Sequence, residues 1–289
     1  MTRRTLFAAA ALALAALAPQ AQAALVIDYS NFTGACGNTL TCVGSTAVNG
    51  GDLRLTPANF NAAGAGFSTT AISLGAGATF STSFQFRMDQ AGGIDPADGF
   101  TFVLSKASSG LGGVGGGLGY QGVGNSVAIE FDTYDNGEVG GSNHVAVDVN
   151  GSLNSLATAS PYGVNNCHLG NHLAAGCMSN GKIWSAYVNY DGNTKLLNVS
   201  VQEAGSTLIQ LITDFNIDIA SALGNNDAFV GFTAATGSGI ENHDILNWQL
   251  ANDTSITTNP GRLPEPTSLA LLSFAGLAAL AVGRRRRAA

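Results

Sequence analysis

The sequence predicts an all-β sandwich, and three observations carry that expectation. Nine runs alternate apolar and polar residues, the period of a half-buried strand. No long run with a 3.6-residue period lies between residues 24 and 263, so helices are not the framework. The connections are rich in glycine, 38 of 289 residues, while only 11% of residues are charged. Many short strands joined by glycine-rich turns suit two packed sheets.

The alternating runs are, in order, Ala24–Tyr29, Thr79–Arg87, Gly99–Leu104, Ser126–Tyr134, His144–Val149, Trp184–Tyr190, Leu196–Gln202, Ala228–Ala234 and His243–Leu250. Asp191, Gly192 and Asn193 separate the sixth from the seventh, which predicts a hairpin there. No internal repeat and no second domain is evident, and about 240 residues between the two ends suffice for one large β domain.

Both ends read as targeting segments. Arg3 and Arg4 precede an apolar run from Leu6 to Pro19, and Ala21-Gln-Ala23 fits a small-residue cleavage site, so residues 1–23 are expected to be a secretory signal peptide rather than an anchor. Residues 263–289 hold Pro264-Glu265-Pro266, sixteen mostly apolar residues from Ser268 to Gly283, and Arg284 to Arg287. Sixteen residues fall short of the ~20 that span hydrocarbon comfortably. The arginines would keep that end on the cytoplasmic side. This tail resembles the PEP-CTERM sorting signal, all three parts standing in order. The resemblance implies a Gram-negative host, transient membrane anchoring through the C-terminal helix, cutting by an exosortase-type enzyme, and delivery from the periplasmic face to the cell surface or an extracellular matrix. A plain retained anchor is the alternative.

Between these ends, six basic residues face eighteen acidic ones. That balance argues against nucleic acid or an anionic membrane surface as partner, and it suits a divalent cation. The four cysteines fall as Cys36/Cys42 and Cys167/Cys177. Four cysteines allow three connectivities, and the local pairing is expected in an exported protein. Each bridge is expected to pin a long surface loop. His168 and His172 lie inside the second loop and read as solvated.

The chemistry concentrates in Ser126–Asn136 and His144–Asn150. Alternation puts Val127, Ile129, Phe131 and Thr133 on one face of the first run, and Ala128, Glu130, Asp132 and Tyr134 on the other. In the second, His144, Ala146 and Asp148 share a face. Two carboxylates two residues apart on one strand face stand only ~7 Å apart along the chain. Like charges that close are costly unless a cation sits between them. With Asn136 and His144 nearby, a metal site is expected. Gly117, Gly119 and Gly122 match a dinucleotide fingerprint literally, but a strand follows where that motif needs a helix. A glycine-rich loop presenting a backbone N–H to a ligand is the functional reading; a plain connector is the alternative.

These pieces resemble the L-type, legume-like lectins in the family's order. They are Phe80–Phe86, Ala97–Leu104, Gly115–Gly119, Val127–Asn136, His144–Asn150, Tyr190–Val199, Val230–Gly237 and His243–Trp248. The resemblance covers residues 24–258. It implies a concanavalin A-like jelly-roll sandwich of two antiparallel sheets, with sugar held over the concave sheet and no catalysis. It implies a cis peptide before Asp98, whose carboxylate accepts from two sugar hydroxyls. A backbone N–H of Gly116 and the amide of Asn136 would donate to sugar, and the ring of Tyr134 would stack on it. Ser238 or Gly239 would contact sugar from the variable loop 237–242. Calcium would take Asp132, the Tyr134 carbonyl and Asn136, since it prefers oxygen. Manganese or another transition ion would take Glu130, Asp132 and His144. The chain departs from the plant pattern in the loop Gly137–Asn143, which lacks the aspartate that bridges both ions. Glu138 is the only carboxylate that could substitute, and the amide of Asn143 is a weaker candidate. Asp148 and His243 read as structural.

The expected function is thus calcium-dependent glycan or exopolysaccharide binding. Two alternatives stay open: a glycoside hydrolase on the same sandwich, or a matrix protein with a vestigial sugar site. The hydrolase is disfavoured because Tyr134, not a carboxylate, stands four residues after Glu130.

Overall fold

The computed structural model describes residues 25–252. The first strands are β1 (Leu25–Tyr29), β2 (Leu40–Gly44), β3 (Ala47–Asn49), β4 (Asp52–Thr56), β5 (Ala63–Ser68), β6 (Ile72–Ser73), β7 (Phe80–Gly93) and β8 (Gly99–Ser105). After them come β9 (Ser126–Asp132), β10 (His144–Val149), β11 (Ala157–Ala159), β12 (Trp184–Asp191), β13 (Leu196–Glu203), β14 (Ile209–Asn216), β15 (Asp227–Ala235) and β16 (Gly239–Asn252). One sheet runs β14-β13-β12-β7-β16-β4-β3, with β1 also on β16; the other runs β11-β10-β9-β8-β15-β5-β2, with β6 on β15. All named strand pairs are antiparallel.

Each alternating run of the sequence contains a strand, although β9 ends at Asp132, short of Tyr134, and Ala24 lies outside the described residues. The expected hairpin joins β12 to β13 with Asp191 opposite Leu196, and the Asp191 carboxylate accepts from the Asn193 N–H at 2.8 Å. Strands β2, β3, β5, β6, β11 and β14 carry no comparable pattern, and β4 alternates as Asp-Leu-Arg-Leu-Thr over only five residues. β5 reads Ala-Gly-Ala-Gly-Phe-Ser because backbone, not side chain, packs there: a Cβ on Gly64 would lie 2.2 Å from the Leu55 carbonyl oxygen. The two segments expected to act in targeting, residues 1–23 and 263–289, lie outside the described residues.

Both expected disulfides, Cys36–Cys42 and Cys167–Cys177, are formed. The expectation that each pins a long surface loop needs correcting for Cys42. That residue lies within β2, opposite Gly66 of β5, and is not in a loop. Its bond to Cys36 closes only a tight turn, in which the Ala35 carbonyl accepts from the Leu40 N–H at 2.9 Å and the Gly37 N–H donates to the Leu40 carbonyl at 2.8 Å. The bridge therefore anchors the entry to an edge strand. The sequence hides this because Leu-Thr-Cys-Val-Gly puts Cys42 beside Val43, which breaks the alternation that would announce a strand.

The inward faces of the sheets meet in one aromatic core. Phe84 centres it, with its ring centroid 5.0 Å from Phe232 and 5.7 Å from Phe131, both edge-on. Trp248 packs 4.9 Å from Phe232 while its indole N–H donates to Thr82 Oγ1 at 2.9 Å. Burial of each such ring contributes ~1.5–3 kcal/mol relative to exposure, and the indole donor is not orphaned.

The second sheet is covered on its outer face too. Every residue of β8 and β9 is buried. The cover is the glycine-rich stretch: Leu118 and Tyr120 pack on Ala65, Phe67, Val103 and Ala128. The Tyr120 hydroxyl accepts from Ser126 Oγ at 2.9 Å and from the Gly151 N–H at 3.1 Å. Gly119 has φ +64°, and a Cβ there would sit 2.7 Å from the Ala234 carbonyl oxygen, so only glycine brings this loop so close. The loop leads into β9 rather than a helix, against a dinucleotide fold. It closes one wall of the recess described next.

Candidate functional site

The register of β9 against β10 builds an ionisable cluster. His144 stands opposite Asp132, Ala146 opposite Glu130, and Asp148 opposite Ala128. Glu130, Asp132 and His144 each offer a ligand atom within 4.8 Å of the others, and all three are buried. The Nδ1 of His144 meets the Gly141 carbonyl oxygen at 2.8 Å, so that nitrogen carries the proton and donates. Its Nε2 therefore holds a free lone pair. That atom is buried without a hydrogen-bond partner and lies 3.8 Å from Glu130 Oε2. Burial lowers the imidazole's affinity for a proton, against the raising effect of the Gly141 contact. Burial also holds Glu130 well above the usual carboxylate range, helped by Asp148 and Asp132. Asp132 is raised likewise by burial, although its Oδ1 accepts from the Tyr134 N–H at 2.7 Å. A buried neutral imidazole aimed at two buried carboxylates suits a divalent transition ion.

A recess of about 270 Å³ opens beside this cluster, lined by Glu130, Asp132, Asn136, Glu138, Gly116, Gln121 and Leu153. Glu138 Oε1 accepts from the Asn136 N–H at 3.1 Å, so the loop after β9 curls back on itself. The recess is thus lined by three carboxylates and two side-chain amides, the donor chemistry of a calcium site. Tyr134 is half-buried and Asn136 exposed at its edge.

Three loops meet at Asp98. The Ala97–Asp98 peptide is cis, as the family resemblance implies. The backbone of Asp98 is held on both sides, its N–H donating to Ala235 O at 3.1 Å and its carbonyl accepting from the Thr133 N–H at 2.9 Å. Its side chain is buried, and Oδ2 has no hydrogen-bond partner among the described residues. Glycine backbone flanks that oxygen: a Cβ on Gly237 would lie 3.3 Å from it and one on Gly115 4.0 Å. A Cβ on Gly116 would lie 2.3 Å from Asn136 Oδ1, so Gly116 seats directly on that amide. Burial pushes the Asp98 carboxyl up to about 7; His243 opposes, and Glu241 and Glu138 add to the rise. Ser238 is exposed on the turn after Gly237. Gly239 is buried, with room for no Cβ against Ala97 and the Asp95 carbonyl, so of these two only Ser238 faces outward.

Some residues behave otherwise than the sequence suggests. Asn143 is no ligand: its Nδ2 donates to the Val164 and Gly176 carbonyls at 2.7 and 2.9 Å, and its Oδ1 accepts from the Met178 N–H at 2.9 Å. It clamps the Cys167–Cys177 loop beside His144. The two bridges thus differ in what they serve. Cys167–Cys177 braces a loop next to the Glu130, Asp132 and His144 cluster, whereas Cys36–Cys42 sits at the far edge strand β2. His168 is not merely solvated but pairs with Asp95 at 2.8 Å. Asp148 and His243 are buried, the latter bonded to Thr56, in keeping with structural roles. Sequence reasoning missed Ser155, whose Oγ donates to Glu130 Oε2 at 3.3 Å, and Glu241, which accepts from the Thr133 hydroxyl behind Asp98. Ser155 sits in an unpatterned loop, and no motif flags it. Glu241 had a signal, a lone acid two residues before His243 on one strand face.

Comparison with known proteins gives one consistent result. The sequence profile of the legume lectin domain matches residues 24–264. Lectin 9 of Medicago truncatula is 34% identical over 193 residues, 59% of this chain and 61% of that protein. The lectin alpha chain of Lablab purpureus is 30% identical over 230 residues, 72% of this chain and 75% of that one. The chain thus spans between about three fifths and three quarters of these two relatives. Among solved structures, peanut lectin with a 9mer peptide superposes with a TM-score of 0.66 at 27% identity, covering 82% of this chain and all of the other. That likeness extends the two-sheet architecture to the legume lectin jelly roll.

Proposed function

Because the chain belongs to the legume lectin domain family, we propose that it is an exported, calcium-dependent carbohydrate-binding protein with no catalytic role. The carrying observation is the unpartnered Oδ2 of Asp98, buried between glycine backbones and close to the buried cluster of Glu130, Asp132 and His144. A sugar offers vicinal hydroxyls that need acceptors and donors, and C–H faces that stack on rings. Asp98 accepts from two hydroxyls. The Gly116 N–H and the Asn136 amide donate, and the Tyr134 ring and Ser238 border the bound sugar.

Calcium is held by Asp132, Asn136, Glu138 and the Tyr134 carbonyl, with Glu138 in place of the missing bridging aspartate. Glu130, Asp132 and His144 hold manganese or another transition ion. Bound cations supply positive charge that keeps the buried carboxylates ionised and fixes Asn136 for hydrogen bonding. Since Glu130 and Asp132 serve metal, neither is free as the acid or nucleophile of a hydrolase.

A glycan array with and without calcium tests the reading. Calcium-dependent binding of a defined set of glycans, released unchanged, is the expected result. Binding that survives EDTA would refute the calcium role, and hydrolysis of the bound oligosaccharide, lost in Glu130→Gln, would favour an enzyme.

The two terminal segments support delivery to the cell surface or exopolysaccharide of a Gram-negative bacterium. Residues 1–23 are the signal peptide, and residues 263–289 are the sorting segment cut by an exosortase-type enzyme after transient anchoring. Intact-mass measurement on the exported protein should place the mature N-terminus at Ala24 and the C-terminus near Pro264. A mass retaining Arg284 to Arg287 would leave the tail as a permanent anchor.

A further inference from the structure

Two histidines that play no part in the binding described above share one turn of the Cys167–Cys177 loop. The His172 N–H donates to the His168 carbonyl at 2.7 Å, which closes a single α-helical turn. Side chains four residues apart on such a turn leave the same face, with Cβ atoms about 5–6 Å apart. The Nδ1 of each ring is committed. His168 Nδ1 donates to Asp95 Oδ2 at 2.8 Å, and His172 Nδ1 donates to the Leu169 carbonyl at 3.0 Å. An acceptor at Nδ1 holds the proton there and leaves the lone pair on Nε2. Neither Nε2 has a hydrogen-bond partner among the described residues. The His168 side chain is 50% exposed and His172 is half-buried, so both rings are reached from solvent.

The turn is fixed from several sides. The disulfide closes the loop, and Asn143 ties down both of its flanks. Asn171 Oδ1 accepts from the His168 N–H at 2.6 Å, while its Nδ2 donates to the Asn166 carbonyl at 3.0 Å. Asp95 accepts from the Leu169 N–H at 2.6 Å as well as from His168, so that carboxylate is pinned behind the ring. A carboxylate in this place is the usual companion of a metal-binding imidazole, since it orients the ring and raises its basicity. A turn already ordered costs little to complete around a ligand. The charge balance, six basic residues against eighteen acidic between residues 24 and 263, favours a cation.

We propose that the Nε2 atoms of His168 and His172 form a metal site of their own, taking a divalent ion of the zinc or copper kind. Neither histidine belongs to the buried cluster of Glu130, Asp132 and His144. Imidazole pairs select such ions, whereas calcium takes oxygen. Both loop cysteines are spent in the disulfide and offer no thiolate, so water completes the coordination. The site stands independently of the lectin reading. An ion there ties the turn, through His168, to Asp95, and so clamps the disulfide loop to the segment that leads into Asp98.

Calorimetric titration of Zn2+ into protein kept in excess calcium and manganese tests it. The wild type is expected to take up a zinc ion that His168→Ala and His172→Ala each fail to bind. Asp95→Asn keeps the ligands but weakens the carboxylate behind them, and should lower zinc affinity by about 10- to 100-fold. Paramagnetic resonance of Cu2+ under the same conditions gives a second readout. A spectrum split by two imidazole nitrogens is expected in the wild type and its loss in either loop variant. Both histidines sit on a surface turn, so the zinc-free variants should melt with the wild type. Zinc isotherms that are the same in the wild type and both loop variants overturn the site. A two-nitrogen copper spectrum that survives His168→Ala or His172→Ala overturns it too, because the nitrogens would then lie elsewhere.

Discussion

Stripping divalent ions with EDTA is expected to abolish sugar binding and to lower the melting temperature by roughly 10 °C, with full recovery on adding back calcium and manganese. The scale follows from linkage: an ion present at about a thousand times its dissociation constant stabilises by ~4 kcal/mol. For a domain of this size each kcal/mol shifts Tm by roughly 2–4 °C. The physical cause is the burial of Glu130, Asp132 and His144 with no counter-charge among their side chains. Unchanged melting and unchanged glycan binding after chelation would remove the metals from the account.

The metal-free protein should also show an inverted pH response. Carboxyls at Glu130, Asp132 and Asp98 are held above their ordinary range by burial, Asp98 up to about 7. Between the unfolded value near 4 and the folded one, the folded chain binds more protons than the unfolded chain. The contribution of Asp98 is therefore complete below about pH 4 and is lost as pH rises through about 7, and the raised Glu130 and Asp132 act in the same direction. The apo protein should melt higher at pH 5 than at pH 8, and bound ions should flatten or reverse that difference. A higher apo Tm at pH 8 would contradict it.

Replacing Asp98 should have the second large effect. Asp98→Asn keeps the shape and the backbone contacts to Ala235 and Thr133 but turns a charged acceptor into a half-donor. Loss of one partner of a buried charged hydrogen bond costs about 2–5 kcal/mol, or roughly 30- to 3,000-fold in affinity. Stability should hold or rise slightly, because burial disfavours the ionised carboxylate. Glycan affinity by calorimetry and Tm by calorimetric scan would be measured together. Retained affinity would move the sugar site elsewhere, and a collapsed Tm would make Asp98 a structural residue.

The parts of the fold that were readable share one property: side chains large enough to show a period. Phe84, Phe100, Ile129 and Phe232 alternate with small or polar residues and so announce β7, β8, β9 and β15. β5 shows no such period, because its glycines are there to let Thr46 and Leu55 approach the backbone. Its partner β2 is masked in another way, since Cys42 reads as a loop cysteine until its pairing with Gly66 is seen. The transition-ion set was legible because parity was. Glu130 and Asp132 share strand parity, and the next alternating run starts at His144, so an antiparallel pairing brings the three together.

What the chain alone determined was which faces its strands present, since the pleat converts sequence parity directly into direction. What only the tertiary structure decided was which atoms from distant loops meet, and which stay free. Asn143 and Asn136 look alike in sequence, yet one amide is spent on Val164, Gly176 and Met178 while the other stands open beside Gly116. Likewise Asp95 and Asp98 lie three residues apart. One is consumed by the Cys167–Cys177 loop, while the other keeps an oxygen free between glycines. A hydrogen bond needs a partner at the right distance and angle, and for groups far apart in the chain only the packing of the two sheets and their loops supplies it.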